Sequence, residues 1–285
     1  MPVRLVASDL DETLIPPERV LRGPVLDAVR ACLGAGVPFV PATGRSMLDI
    51  RPTLEQLGLA GRADRYAITL NGCVVSDCAG RVLRFRGMPR ELAERCFRIG
   101  AGLGLPMHVA GRDGTVLMWG LTDEERAYVG TRVVYREMEG DSLDEMGDEP
   151  IAKLLFVGES EAWLRERVAA RPVVAELAAD LDLTYSSTRY LEFQPRGVNK
   201  GDGLRFLCEL LGIDVADAMA LGDSSNDAEM LEAAGLGVGV ANVTDAARAA
   251  CDVVCDAPWD AGVAEALRRF VPGVAEAMDA EGARA

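Results

Sequence analysis

Histidine is almost missing from this chain: His108 is the only one in 285 residues. A serine or cysteine triad with an imidazole base would have to run through that residue, which sits in the segment GLPMHVAG, so acid–base chemistry is expected from carboxylates instead. Lysine is nearly as scarce. Of the 30 basic residues 28 are arginine, and only Lys153 and Lys200 carry a compact ammonium, which makes each of them a position to question. The seven cysteines are scattered without a CxxC pair; Cys251 and Cys255 are four apart, but no second pair accompanies them. That argues against a disulfide framework and against a zinc site, and leaves small, apolar, buried side chains as their reading. No apolar run reaches the roughly 18 residues that span a bilayer. The opening MPVRLVASDL is interrupted by Arg4 and ended by Asp9, unlike a signal peptide, so the expected location is the cytoplasm. Positive charge is also short: 30 basic against 45 acidic residues give a net charge of -15. Such a surface repels nucleic-acid backbones and anionic membranes, yet it leaves room for a small phosphorylated ligand in a local positive pocket.

What is present reads as a folded α/β protein. Hydrophobic residues make up 49% and charged residues 26% of a chain long enough for one large domain or two ordinary ones. The segment VRLVASDL is a short run of apolar, partly β-branched residues, the pattern of a buried strand, and VLDAVRACLGAG has apolar residues at helical spacing with a glycine stop. Strands at VPFVPATG and YAITLNG alternate with a helix at SMLDIRPTLEQLG, which predicts a parallel sheet. CVVSDCAGRVLRF reads as a hairpin turning at Asp77 to Gly80. From Met88 to Leu183 the texture changes to helices (ELAERCFRIGAGLG, EAWLRERVAA), short strands (TVLMWG, TRVVYREM, AKLLFVGE) and charged loops. From LTYSS onward the first pattern resumes, with strands predicted at LEFQP, AMALGD and LGVGVAN. The expected organisation is a sheet domain built from both ends of the chain, with an α/β insertion between.

Chemistry concentrates at strand ends. In Asp9-Leu10-Asp11-Glu12-Thr13, acids two apart in an extended segment face one side, where they can bind a hard cation or divide attack and proton donation between them; a helix-capping acidic loop is the plainer reading. Thr43-Gly44-Arg45 offers a hydroxyl and backbone amides before a helix, suited to phosphate or simply to an N-cap. Lys200, in Arg196-Gly197-Val198-Asn199-Lys200-Gly201, suits a phosphate or a carboxylate, or a solvated helix start. Leu221-Gly222-Asp223-Ser224-Ser225-Asn226-Asp227 brings further oxygen ligands to another strand end, with more acids than a turn needs.

In this order DLDETL, ATGR, VNKG and GDSSND resemble the four motifs of the haloacid dehalogenase-like phosphatases, in their Cof-like branch. LNG at 70–72 and LEFQPRGVNKG are similar to further segments of that branch, so the likeness covers both ends of the chain. The resemblance implies a Rossmann-like parallel-sheet core (1–85 and 186–285) with an inserted α/β cap (86–185) that selects substrate, and the two-domain layout predicts closure of cap over core about hinges near 84–88 and 183–188. It implies Mg²⁺-dependent hydrolysis of a small phosphate monoester, such as a sugar phosphate, through an aspartyl-phosphate. Asp9 then matches the nucleophile and Asp11 the general acid and base. Lys200 matches the residue that neutralises phosphate and holds Asp9 as an anion. Leu10 and Gly44 through their amides, Thr43, Arg45 and Asn226 match substrate contacts. Asp9, Asp11 through its carbonyl, and Asp223 match metal ligands, with Asp227 a metal-site or lysine orienter. Glu12 departs from the glycine that the family often has there. The partner implied is a small phosphorylated metabolite, with neither nucleic acid nor membrane. Two other readings stay open: a phosphohexose mutase using the same intermediate, and a catalytically silent phosphometabolite-binding module. Dehalogenation is disfavoured by Asp11, because that chemistry has no alkoxide to protonate. Within the insertion His108, Arg112, Trp119 and Lys153 are candidate substrate contacts, although core packing accounts for Trp119 and a strand edge for Lys153.

Overall fold

In a computed structural model describing residues 2–282, the chain divides into two compact units. Among the described residues the first comprises 2–44, 51–83 and 199–282; the second comprises 45–50 and 84–198. In chain order the elements are β1 (Leu5–Ser8), α1 (Gly23–Gly34), β2 (Phe39–Pro41), α2 (Met47–Gln56), β3 (Tyr66–Thr69), β4 (Val74–Asp77), β5 (Val82–Phe85), α3 (Arg90–Gly102), β6 (Met107–Gly111), β7 (Val116–Trp119), α4 (Asp123–Val129), β8 (Tyr135–Glu137) and β9 (Ile151–Val157). They continue with α5 (Glu161–Trp163), α6 (Pro172–Ala175), β10 (Leu181–Ser186), β11 (Tyr190–Pro195), α7 (Lys200–Leu211), β12 (Ala218–Gly222), α8 (Ala228–Ala233), β13 (Leu236–Gly239), α9 (Asp245–Arg248), β14 (Val253–Val254), α10 (Trp259–Phe270) and α11 (Val274–Gly282). Among the described residues no helix is long and apolar enough to cross a membrane.

The first unit is built on a parallel sheet in the order β14-β13-β12-β1-β2, with β3, β4 and β5 forming a second, three-stranded sheet. Every residue of β1 and of β12 is buried, as expected of central parallel strands covered on both faces. Leu5, Ala7, Val40, Ile68, Leu204, Leu207, Ala218, Ala220 and Leu231 form one core cluster. The register places Ser8 of β1 opposite both Leu221 of β12 and Pro41 of β2. The loops that begin at Asp9, Thr43 and Asp223 therefore leave three adjacent strands at one carboxyl edge, where open α/β sheets bind ligands.

The second unit holds a six-stranded, mainly antiparallel sheet in the order β10-β11-β9-β6-β7-β8. One of its faces carries Met107, Val109, Leu117, Leu154, Phe156, Leu191 and Phe193 and packs against α3 through Ala93, Cys96 and Phe97. Three expectations need correction here. LEFQP lies in β11 of this sheet, paired with β9 and β10, and is not a strand of the parallel core. Residues 183–186 lie inside β10, so the chain does not hinge there; it returns to the first unit at Val198–Asn199. Lys153 is on β9, an interior strand flanked by β11 and β6, and not on an edge. Its ammonium is buried and 2.5 Å from Glu192 on β11.

Candidate active site

Asp9 follows directly on β1, and its amide donates to the Leu221 carbonyl (2.9 Å), which locks the end of β1 to the end of β12. Lys200 is the first residue of α7. Asn199 caps that helix by accepting from the Asp202 amide at 2.8 Å. The cap fixes where the helix begins and hence where the lysine emerges. Lys200 is fully buried, its Nζ 2.5 Å from Asp9 Oδ1 and 2.7 Å from Asp227 Oδ1. The other oxygen of Asp227 accepts from the Asp223 and Ser224 amides, both at 3.1 Å. Thr13 Oγ1 donates to Asp223 Oδ1 at 2.6 Å, which joins the first loop to the fourth across 210 residues of sequence.

Asp9, Asp223 and Asp227 bring carboxylate oxygens within 4.8 Å of one another, all three buried. When all are ionised, three negative charges face the single ammonium of Lys200, an excess of two. Burial is the main influence on Asp9 and raises its carboxyl well above the usual range; Lys200 works against this, and Asp227 and Asp223 add to it. Asp223 is pushed up to about 7 by burial and by Asp227, with the Thr13 hydrogen bond and Lys200 opposing. Burial disfavours the charge on Lys200, but Asp227 and Asp9 outweigh it and hold the ammonium above its ordinary range. Crowded hard oxygen donors with two surplus charges fit a divalent hard cation such as Mg²⁺, which would relieve both the repulsion and the burial penalty.

The remaining sequence-derived residues fall in three places. Asp11 stands outside the acidic triad, partly exposed, with its carboxylate 3.5 Å from Arg19. Thr43 is buried; its amide donates to the Ile68 carbonyl (2.8 Å) and its carbonyl accepts from the Asn71 amide (2.9 Å). Leu10 is buried, and its carbonyl accepts from the Thr13 and Ile15 amides, closing the turn that carries Asp11. Asn226 donates from Nδ2 to Asn71 Oδ1 at 3.4 Å and accepts from Ser224 Oγ at 2.8 Å. Arg45 belongs to the second unit, where its guanidinium donates to the Asp49 and Arg132 carbonyls. Glu12 has a left-handed backbone (φ 65°), which accounts for glycine being the easier residue there; Asn242 steadies it by donating to its carbonyl at 2.8 Å.

The candidates in the second unit each have a local partner. His108 Nε2 lies 3.1 Å from Glu125 Oε1, to which the Tyr190 hydroxyl donates at 2.6 Å. Arg112 is 3.7 Å from Glu149. Trp119 packs edge-on against Phe97 with centroids 5.8 Å apart and donates to Asp141 at 3.0 Å. None of the seven cysteines forms a disulfide.

A family model described as haloacid dehalogenase-like hydrolase matches residues 6–267. The chain is 34% identical over 240 residues to the HMP-PP phosphatase of Serratia proteamaculans (strain 568), which covers 84% of each protein. To the HMP-PP phosphatase of Yersinia pseudotuberculosis (serotype O:1b, strain IP 31758) it is 31% identical over 239 residues, again 84% of each. A solved haloacid dehalogenase-like hydrolase from Bacteroides thetaiotaomicron superposes with a TM-score of 0.78 at 23% identity, covering 94% of this chain and 99% of that one. A sugar phosphatase of HAD subclass IIB gives a TM-score of 0.80 at 21% identity over 94% of this chain and 99% of its own. At these identities the two structures show a common fold.

Proposed function

The chain belongs to the haloacid dehalogenase-like hydrolase family and is a phosphatase, and from that premise we propose that it hydrolyses a small phosphate monoester through an aspartyl-phosphate on Asp9, with Mg²⁺ as its metal. The observation that carries the reading is the buried constellation of Asp9, Lys200, Asp223 and Asp227 at the carboxyl edge of β1 and β12. Asp9 would attack phosphorus as the ester P–O bond breaks, and the Asp11 carboxyl would give its proton to the departing alkoxide. Asp11 would then take a proton from water as that water attacks phosphorus, releasing phosphate and restoring Asp9. Its greater exposure suits a group that must exchange protons at each step. Lys200, held between two carboxylates, would keep Asp9 oriented and anionic at the moment of attack. The Gly44 and Leu10 amides, Thr43 and Asn226 would bind the phosphoryl oxygens. Asp9, the Asp11 carbonyl and Asp223 would hold Mg²⁺, while Asp227, with both oxygens already hydrogen-bonded, would orient Lys200 and the acidic loop. When bound, Mg²⁺ supplies positive charge against the negative charge that develops on the transferring phosphoryl group.

The HMP-PP phosphatases and the sugar phosphatase similar to this chain have names that support a small phosphorylated metabolite as substrate. Selectivity among such compounds would fall to the second unit, the cap, whose main segment is 84–198.

Phosphate release from a panel of phosphorylated metabolites, with Mg²⁺ and then with EDTA, tests the activity; metal-dependent release is expected. The same samples test the metal site by thermal unfolding. Burial raises Asp9 and Asp223 above their ordinary 3.8, Asp223 to about 7, so the metal-free fold loses stability as pH rises through that interval. Mg²⁺ is expected to raise the unfolding temperature, and to do so more at pH 8 than at pH 5.5, where protons compete for the same oxygens. An equal rise at both values would contradict the site.

A further inference from the structure

The turn Leu70–Gly72 is placed where no local rule requires it. Leu70 and Asn71 both have left-handed backbones (φ 52° and 53°), which side chains other than asparagine and aspartate adopt reluctantly. Gly72 (φ 93°) lies so close to the start of α7 that a Cβ there would stand 2.1 Å from the Asn199 carbonyl oxygen. The Asn71 amide donates to the Thr43 carbonyl, and its side chain is buried. Its Oδ1 accepts from Asn226 Nδ2, and it lies 3.0 Å from where a Cβ on Gly44 would be. One carboxamide thus touches the loop after β2 and the loop after β12, while the next residue in the chain touches the cap residue of the lysine helix.

The geometry points to Asn71 as a positioning residue of the phosphate pocket: its carboxamide sets the Gly44 backbone and the Asn226 side chain at a fixed separation, so that both meet one phosphoryl group. This inference rests on the phosphatase reading above. It differs from a purely structural role, in which the turn would serve only to join β3 and β4 and the carboxamide would be interchangeable with any group that tolerates the backbone.

Asn71→Gly separates the two roles, because glycine accepts the left-handed backbone without strain and removes only the carboxamide. Binding of inorganic phosphate in the presence of Mg²⁺, measured by calorimetry, is expected to weaken about tenfold or more, the equivalent of about 1.4 kcal/mol, while the unfolding temperature stays close to that of the parent. Asn71→Asp, which also tolerates this backbone but puts a negative charge beside the pocket, is expected to weaken phosphate further. In combination with Asn226→Ala, the Asn71→Gly loss is expected to fall short of the product of the two single losses, because both variants break the same contact. Parent-like phosphate affinity in Asn71→Gly would overturn the inference and leave the phosphatase reading intact. So would a lowered unfolding temperature with affinity retained. Failure of the unaltered protein itself to bind phosphate with Mg²⁺ would take down both.

Discussion

Asp9→Asn is expected to abolish turnover, with a loss of about 10⁴-fold or more, while the fold survives. Asparagine is nearly isosteric with aspartate and still offers Lys200 an amide oxygen, so the β1 terminus keeps its hydrogen bond from the Asp9 amide to Leu221. The nucleophilic electron pair is what disappears. Removing one of three clustered carboxylates also removes repulsion that burial makes costly, so the variant is expected to unfold at the same temperature as the parent or higher when Mg²⁺ is withheld. Rates on a responsive ester, together with metal-free thermal unfolding, check both parts. A variant with a substantial fraction of parental rate would show that the phosphoryl group does not pass through Asp9.

Lys200→Met is expected to injure both fold and chemistry. The lysine is fully buried between Asp9 and Asp227, and methionine replaces its length but not its charge. Breaking a buried charge pair by removing one partner typically costs about 3–5 kcal/mol, because the other charge is left uncompensated. The sign with pH follows from the shifts. In the parent the raised lysine contributes stability that is complete below its ordinary 10.5 and lost only above that, so it is constant through the neutral range. In the variant Asp9 loses the cation that holds its raised carboxyl down, and its folded-state value rises further, so the deficit is expected to be larger at pH 8 than at pH 5. Catalysis is expected to fall by about 10²–10³ even at low temperature, where the variant remains folded. Equal denaturant stability at pH 5 and 8, or near-parental rates, would contradict the role given to Lys200.

The acids of the site were legible in sequence because the fold class decides where strand ends go. A wholly buried run such as Leu5–Ser8 that stops at an aspartate places that aspartate at the carboxyl edge of a parallel sheet, and Ala218–Gly222 before Asp223 does the same. The scarcity of lysine singled out Lys200 for a related reason, since a chain that otherwise uses arginine keeps a point charge where a flat guanidinium does not fit. Other features had no local signal. Leu191 to Gln194 of LEFQP are buried, a pattern that suits a strand of either sheet, and only pairing with β9 and β10 decides its membership. Lys153 looks like an edge residue until Glu192, 39 residues away, supplies its partner. The bond from Thr13 to Asp223 and the contact of Asn71 with Gly44 depend on close packing between loops distant in sequence, and the left-handed backbone of Asn71 cannot be read from its neighbours.

The most direct test is to look for the phosphoryl group on Asp9 itself. Asp11→Asn, which lacks both the acid for the leaving group and the base that activates water, is mixed with Mg²⁺ and with a phosphate ester of an acidic alcohol that leaves without a proton, quenched in acid within the first turnover, and digested for peptide mass analysis. The peptide that contains Asp9 is expected to gain the mass of one phosphoryl group, in proportion to alcohol released, and to gain none when Asp9→Asn is added to the same variant. A burst of alcohol with that peptide unmodified, or with the phosphoryl group on another residue, would contradict the aspartyl-phosphate account.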